Sequence, residues 1–234
     1  MELKDRIIVA LDVDNLEKAK PLVEILSPYV HCFKVGLELL TSVGAPQVVK
    51  FIHQAGGQVF FDGKFHDIPN TIAAASRAIS RLEVKMFNVH ASSGKEAMIN
   101  AVQNKGNSKL LAVTILTALD EESCNHIYGV SVASKVRQFA LDASEAGVDG
   151  LVCSPKDLSN LLQDESLKHL MKITPGVRPT WADAQDQKRV FTPREAILAG
   201  ATSLVIGRPI TRPPREIKTP VEAIRRILDE ISSI

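Results

Sequence analysis

One stretch organises the sequence: Phe60-Phe61-Asp62-Gly63-Lys64-Phe65-His66-Asp67-Ile68-Pro69-Asn70-Thr71. It starts in an apolar run, continues through charges of alternating sign, and ends at a proline that opens an Ala-rich helical segment. We therefore predict a strand that ends in polar residues and leads into a helix.

The charges in this stretch have a spacing that suits chemistry. Asp62 and Lys64 are two residues apart, so continued strand geometry places them on the same side while Gly63 faces away. Asp67 follows in the turn. Two carboxylates and an ammonium this close are typical of an active site, because each group fixes the charge state and position of its neighbours. A solvated charge cluster at a strand end is the alternative, and the rest of the chain decides between them.

Composition limits the possible classes of protein. The 234 residues are 45% hydrophobic and carry 28 basic against 27 acidic side chains, for a net charge of +1. A chain of this size can bury one large core, and its balanced charge gives no field for nucleic acid or membrane binding. The first residues lack the apolar core of a signal peptide, and no later run is long enough to span a bilayer. We expect a soluble cytoplasmic protein whose three separated cysteines (Cys32, Cys124, Cys153) are free thiols, two of them within buried strands.

Short aliphatic strands alternate with helices along the whole chain. The predicted strands are Ile7 to Leu11, Cys32 to Gly36, the strand of the opening stretch, Val84 to His90, Leu110 to Leu116, Gly150 to Cys153, Lys172 to Thr174 and Ser203 to Ile206. The predicted helices are Leu16 to Leu26, Ala45 to Gln54, Pro69 to Arg81, Lys95 to Asn104, Val132 to Ala146, Leu158 to Gln163, Pro193 to Ala199 and Val221 to Ile231. Asn15 is the predicted cap of the first helix.

Eight such units, spaced by roughly 30 residues, predict an α/β fold that closes into one (β/α)8 TIM barrel over residues 1–234. A doubly wound open sheet is the alternative. The count of eight, the lack of a Gly-rich fingerprint after the first strand and the polar residues at many strand ends argue against it.

Alternate residues of a barrel strand point inward, which predicts the inward-facing sets. They are Ile8, Ala10 and Asp12; Cys32 and Lys34; Phe60, Asp62 and Lys64; and Met86, Asn88 and His90. The polar members fall at the carboxyl ends, where barrel enzymes place their catalytic groups. Asp12, Lys34, Asp62 and Lys64 are expected to converge on one mouth, with Asn88 and His90 nearby. A histidine that ends a core strand is more often packed than catalytic, so His90 is interpreted as a supporting residue.

The loops after the last two strands carry the chemistry of a phosphate site. They are Pro175-Gly176-Val177-Arg178 and Ile206-Gly207-Arg208-Pro209. A glycine lets the backbone approach an anion and an arginine offers a planar charged fork. Residues 176–190 are too long and polar for a simple connector, which suggests a lid over the ligand, with an ordinary surface excursion as the alternative.

Together these motifs resemble the orotidine 5'-phosphate decarboxylase family. The resemblance runs from Ile7 to about Thr211, nearly the whole chain. The matching segments are Val9 to Asp12, Phe33 to Gly36, Asp62 to Thr71, Asn88 to Ala91, Thr114 to Thr117, Thr174 to Arg178, Asp186 to Val190 and Ile206 to Thr211. Gly63 and Phe65 stand where larger aliphatic or leucine-like residues are expected. A set of motifs in this order is highly specific.

The resemblance implies a role for each matching residue. Lys34, Asp62 and Lys64, with Asp67 from the other subunit of a homodimer, form the catalytic charged network. The substrate-binding set is Asp12 and Lys34 on the ribose, Thr71 on the ribose across the dimer interface, Asp62 facing the departing carboxylate, Thr117 on the pyrimidine edge, Gln187 between base and phosphate, and Arg178, Gly207 and Arg208 on the phosphate. The partners implied are orotidine 5'-phosphate, UMP and a second copy of the chain, with no metal or organic cofactor.

Two other functions fit parts of the pattern. The sugar-phosphate decarboxylases and hexulose-phosphate synthases of the same suprafamily share the D-x-K-x-x-D motif but use magnesium. They resemble this chain less, because Lys34 stands where they carry an acidic residue and would repel a divalent cation. A non-catalytic phosphate-binding barrel is the third possibility, and its mark would be the loss of Asp62 or Lys64, both of which are present.

Overall fold

The computed structural model describes residues 2–182, 191–232 and 234. Within these residues eight parallel strands pair in chain order and close into a barrel, because β1 pairs with both β2 and β8. The strands are β1 (Ile7–Ala10), β2 (Cys32–Val35), β3 (Gln58–Phe65), β4 (Met86–His90), β5 (Lys109–Val113), β6 (Gly150–Val152), β7 (Met171–Thr174) and β8 (Ser203–Ile206). The predicted closed barrel is confirmed, and the open sheet is excluded by the β1–β8 pairing.

Helices follow the strands and cover the outside of the barrel. They are α1 (Leu16–Leu26), α2 (Leu37–Val43), α3 (Ala45–Gln54), α4 (Pro69–Ser80), α5 (Lys95–Asn104), α6 (Glu121–Tyr128), α7 (Val132–Ala146), α8 (Leu158–Leu162), α9 (Pro193–Leu198), α10 (Arg208–Thr211) and α11 (Pro220–Ser232). Asn15 caps α1 as predicted, since its side chain accepts a hydrogen bond from the backbone N–H of Lys18. Of the described helices, none is long and apolar enough to cross a membrane.

The sequence patterns missed three helices and extended five strands too far, β5 by three residues and β1, β2, β4 and β6 by one or two. α2, α6 and α10 are short and lie in segments predicted as connections, where too few turns exist for a periodic pattern to emerge. β5 ends at Val113 instead of Leu116, because the chain leaves the sheet at Thr114 and turns into the mouth of the barrel.

Two layers of apolar side chains form the core. The inner layer fills the barrel and consists of Ile8, Ala10, Cys32, Phe60, Met86, Leu111, Ile173 and Val205. The larger outer layer packs between the strands and the helices. The apolar members of the inward-facing sets predicted on β1 to β4 all lie in the inner layer, so strand parity is confirmed for them. The filled interior leaves only the ends of the barrel open to a ligand.

The three cysteines are free and buried. Cys32 lies in β2, Cys153 follows β6 by one residue and Cys124 lies in α6. Burial raises the pKa of Cys32 to about 12, so this thiol stays protonated and acts as a small apolar side chain.

Candidate active site

A network of alternating charges occupies the carboxyl end of β2 and β3. Lys34 Nζ lies 3.0 Å from Asp12 Oδ1 and 3.3 Å from Asp62 Oδ2. Lys64 Nζ lies 2.7 Å from Asp62 Oδ1. The carboxylate of Asp62 is thus held between two ammonium groups, one on each oxygen. The four residues that parity assigned to one mouth do meet there.

Burial differs across this network and makes its inner part cationic. The side chains of Asp62 and Lys34 are 11% and 12% exposed, whereas that of Asp12 is 57% exposed. Lys64 is 31% exposed and reaches toward the open mouth. Lys34, Asp62 and Lys64 together carry one net positive charge. Such a group stabilises negative charge that develops on a ligand placed beside Lys64.

Strand β3 is distorted at the point where Lys64 enters the network. Phe61 pairs with Phe87 and Phe65 with Val89, so β3 carries two more residues than β4 over this interval. Lys64 adopts φ +50°, a left-handed conformation that L side chains rarely take. Regular pairing with β4 is therefore interrupted at Lys64, although Lys64 and Asp62 still point to the same side and form an ion pair.

Asn88 connects the two halves of the distorted segment. Its Nδ2 donates to Asp62 Oδ1 at 2.7 Å, and its Oδ1 accepts from the backbone N–H of Lys64 at 2.8 Å. Asn88 is completely buried. Strand alternation predicted that Asn88 lies near the site but predicted no role for it. Alternation along one strand does not reveal a hydrogen bond to a residue in the irregular part of the neighbouring strand.

His90 lies beside the network. Its ring packs against that of His66 with the centroids 5.6 Å apart. Burial, followed by the charges of His66 and Lys64, lowers the pKa of His90. In the ranges described, no hydrogen bond or ion pair joins its ring to Asp62 or Lys64.

A cavity of about 200 Å³ opens next to the charged network. Lys34, Asp62 and Lys64 line it together with Thr117, which is exposed. The remaining lining is mostly apolar: Phe60, Val113, Ile115, Leu116, Val152, Cys153, Pro175 and Val205. The apolar lining from β5 and β6 was not among the predicted site residues, although the alternation seen in the first four strands extends to Val113 and Val152. A planar ligand edge can rest on this lining while a polar group meets Lys64.

The predicted phosphate loops lie side by side, because β7 pairs with β8. Arg178 is 7% exposed, and its backbone N–H donates to Phe191 O. Arg208 opens α10 and is exposed. A Cβ at Gly207 would lie 3.3 Å from Asp12 Oδ2, so the glycine allows the loop after β8 to approach Asp12 closely. Gln187 and most of the predicted lid fall at 183–190, outside the described residues.

Asp67 and Thr71 lie apart from the network within one chain. Both are exposed, and Asp67 Oδ1 accepts from the backbone N–H of Ile68 at 2.7 Å. Over the described part of the chain, no hydrogen bond or ion pair links Asp67 to Lys64. Thr71 lies in the first turn of α4, next to Ile68, which is 66% exposed. These two residues face outward at the edge of the mouth.

Comparisons with known proteins agree with this geometry. The model of the "Orotidine 5'-phosphate decarboxylase / HUMPS family" matches residues 5–227. A protein of Moorella thermoacetica named orotidine 5'-phosphate decarboxylase is 46% identical, with 100% of this chain and 95% of the relative covered. Its namesake in Syntrophomonas wolfei is 43% identical, with 99% of each chain covered.

A solved structure shares the fold. The crystal structure of orotidine 5'-phosphate decarboxylase from Lactobacillus acidophilus superposes with a TM-score of 0.79 at 30% identity, covering 97% of this chain and 99% of that one. The match of the family model over nearly the whole chain and the high identity of full-length relatives show that this chain belongs to the orotidine 5'-phosphate decarboxylase / HUMPS family.

Proposed function

We propose that this protein decarboxylates orotidine 5'-phosphate to UMP and CO2 in pyrimidine biosynthesis, the activity for which its relatives are named. The observation that carries the proposal is the buried carboxylate of Asp62 between the ammonium groups of Lys34 and Lys64, at the edge of an apolar cavity. This arrangement supplies positive charge and a proton at one point without a metal.

The reaction needs both of these properties. The bond between C6 of the pyrimidine and the carboxylate carbon breaks, and its electron pair stays on C6, in the ring plane, where the π system cannot delocalise it. The ammonium of Lys64 lies at the mouth of the cavity and stabilises this charge. It then transfers a proton from Nζ to C6, giving UMP, and regains a proton from water.

Asp62 serves chiefly to place Lys64 in this mechanism. Its Oδ1 accepts from Lys64 Nζ at 2.7 Å, while Lys34 neutralises its other oxygen. A substrate carboxylate bound against Asp62 is also repelled by it, and that repulsion is relieved when CO2 departs. The positioning effect requires only contacts that are present before the substrate binds.

The remaining site residues are proposed to hold the substrate along its length. Asp12 and Lys34 bind the ribose hydroxyls, and Thr117 contacts the pyrimidine edge across the cavity. Arg178, Gly207 and Arg208 bind the phosphate, and Gln187 bridges base and phosphate. The phosphate contacts are remote from C6, so their binding energy can order the charged network without touching the reacting atoms.

We further propose a cytoplasmic homodimer with shared active sites. Asp67 and Thr71 face outward at the rim of the mouth, beside the exposed side chain of Ile68. An apolar residue next to a carboxylate at this position suits contact with a second copy of the chain. Asp67 of one subunit then completes the network of the other, and Thr71 reaches the ribose across the interface.

The magnesium-dependent sugar-phosphate enzymes of the same family are the main rival. Lys34 Nζ lies within 3.3 Å of a carboxylate oxygen of both Asp12 and Asp62, the groups that a divalent cation would use. An ammonium in that position repels such a cation. A non-catalytic barrel is the other rival, but it has no need for the intact contact between Lys64 and Asp62.

The decisive experiment follows the ultraviolet absorbance of orotidine 5'-phosphate with the purified protein in excess EDTA, with UMP identified as product. Rapid conversion is expected, without need of a divalent metal. If conversion fails in EDTA and a sugar phosphate is turned over once magnesium is restored, the rival enzyme class is correct. Phosphate-ligand binding without any turnover would identify a non-catalytic barrel.

A further inference from the structure

Asn88 has an unusual position for a polar side chain. It lies in the middle of β4 with no exposed surface, and its backbone pairs with Leu111 of β5. A fully buried amide must satisfy both its carbonyl and its amino group. Asn88 does so through the two groups on β3 described above, the carboxylate of Asp62 and the backbone N–H of Lys64.

The hydrogen bond to Lys64 replaces part of the sheet ladder. β3 leaves regular pairing with β4 after Phe61 and regains it at Phe65. Within the interval the backbone N–H of Lys64 is satisfied by a side chain of β4 instead of a backbone carbonyl. The φ of +50° at Lys64 belongs to this same interval. The contact therefore stabilises the backbone conformation that aims Lys64 at Asp62.

The neighbouring residues adapt to the same distortion. A Cβ added at Gly63 would lie 2.3 Å from Cε1 of Phe61, so the ring of Phe61 occupies the space of a side chain at 63. The rings of Phe61 and Phe65 pack with centroids 5.6 Å apart. This packing holds the outer side of the bulge, while Asn88 holds its inner side.

We propose that Asn88 is a positioning residue for the reaction, which fixes Lys64 and Asp62 relative to each other by bonding to both. The inference rests on the proposed decarboxylation and adds a residue that never touches the substrate. The amide of Asn88 accepts a hydrogen bond from the backbone N–H of Lys64, the proton donor. It also donates a hydrogen bond to the carboxylate of Asp62, which orients Lys64. Only one orientation of the amide satisfies both partners, because an N–H must meet a carbonyl oxygen and a carboxylate must meet an amino group.

The first test compares Asn88→Leu with Ser108→Ala. Asn88→Leu keeps the approximate volume but removes both hydrogen bonds. Ser108 is likewise buried, and its hydroxyl donates to Val84 O just before β5 and β4 begin, at the end of the barrel opposite the site, so its loss controls for a missing buried hydrogen bond. We expect kcat to fall by about 100-fold in Asn88→Leu with KM little changed, because a small displacement of a catalytic group has that effect. Ser108→Ala should keep both constants.

The second test uses the pH profile of Asn88→Asp. A protonated carboxyl at this position can still donate to Asp62 and accept from Lys64, whereas the ionised form cannot donate and repels Asp62. Asp62 and Lys64 of β3 contact the position directly, Lys34 of β2 binds the other oxygen of Asp62, and His90 lies two residues further on β4. We expect the ratio of variant to wild-type kcat to fall as pH rises through the titration of the introduced carboxyl.

Crystal structures of unliganded wild type and Asn88→Leu supply a readout that does not depend on activity. Positioning by Asn88 requires that Lys64 Nζ leave its site 2.7 Å from Asp62 Oδ1 in the variant. The inference would be overturned if Lys64 and Asp62 did not move in Asn88→Leu, or if the kcat of Asn88→Leu equalled that of Ser108→Ala. It would also be overturned if the ratio of Asn88→Asp to wild-type kcat did not change with pH. Failure of the wild type to convert orotidine 5'-phosphate would refute the proposed function instead, and the crystal structures would still decide the positioning.

Discussion

Replacing Lys64 by alanine tests the proposed chemistry most directly. The side chain is partly exposed at the cavity wall, so its charge acts through an effective dielectric constant near that of a protein surface. At about 4 Å from the developing carbanion the lost attraction is about 4 kcal/mol. At about 1.4 kcal/mol for each factor of ten, this corresponds to a factor of about 10³ in rate.

Lys64 also donates the proton, and loss of a general acid typically costs a further factor of about 10² to 10⁴. We therefore expect kcat to fall by about 10⁵ to 10⁷ in Lys64→Ala. The variant should fold, because Asp62 keeps Lys34 as a partner at 3.3 Å. Binding of UMP should persist, since the phosphate loops and the ribose-binding residues are intact.

The assay is single-turnover decarboxylation monitored by ultraviolet absorbance, with UMP binding measured by calorimetry. Lys109→Ala is the matched control. Lys109 Nζ lies 2.9 Å from Asp149, which also keeps a second lysine partner, Lys105, at the opposite end of the barrel. The control should turn over at the wild-type rate. Near-normal turnover by Lys64→Ala would refute the assigned acid role, and loss of UMP binding to the same degree as turnover would indicate a role in binding alone.

Three other predictions follow from the site and from the far end of the barrel. Asp67→Asn and Lys64→Ala, each inactive alone, should recover about a quarter of wild-type activity when mixed in equal amounts. About half of the exchanged dimers are hybrids, and each hybrid carries one site with both native groups. No recovery despite proven subunit exchange would contradict the shared site. Arg208→Ala should raise KM by about 10- to 100-fold, the value of charged hydrogen bonds to phosphate, in steady-state kinetics; an unchanged KM would remove Arg208 from the phosphate site. Burial opposes ionisation of Asp149, but hydrogen bonds from Lys105, Lys109 and the backbone N–H of Leu110 outweigh the effect of burial and lower the pKa of this carboxyl. The ionised carboxylate therefore stabilises the fold at pH values above the unfolded pKa, and this contribution is lost as pH falls through the folded pKa. Asp149→Asn should therefore lower the free energy of unfolding by about 1–2 kcal/mol at neutral pH, while turnover stays unchanged. In denaturant titrations the difference should begin to shrink as pH falls below about 4, the unfolded value, and should disappear only below the lower pKa of the folded state; a constant difference across pH would contradict the electrostatic origin.

The local sequence determined the elements and the order of the barrel. Short aliphatic runs, caps such as Asn15 and the repeat of strand and helix are local signals, and they predicted all eight strands. Parity then brought Asp12, Lys34, Asp62 and Lys64 to one mouth, because alternation is a property of extended backbone and holds for each strand separately. The same alternation along each strand predicts the inner-layer residues of β1 to β4, which are Ile8, Ala10, Cys32, Phe60 and Met86.

The tertiary structure decided what depends on pairing between strands. The bulge at Lys64 arises because β3 and β4 pair with different residue counts, and neither strand reveals this alone. The role of Asn88 follows from that mismatch, since its amide meets Asp62 and Lys64 only where regular pairing stops. The outward position of Asp67 and Thr71 likewise emerges only once the helices are packed around the barrel. Sequence patterns give the direction of side chains along one element, whereas contacts between distant elements are set by the register and packing of the closed barrel.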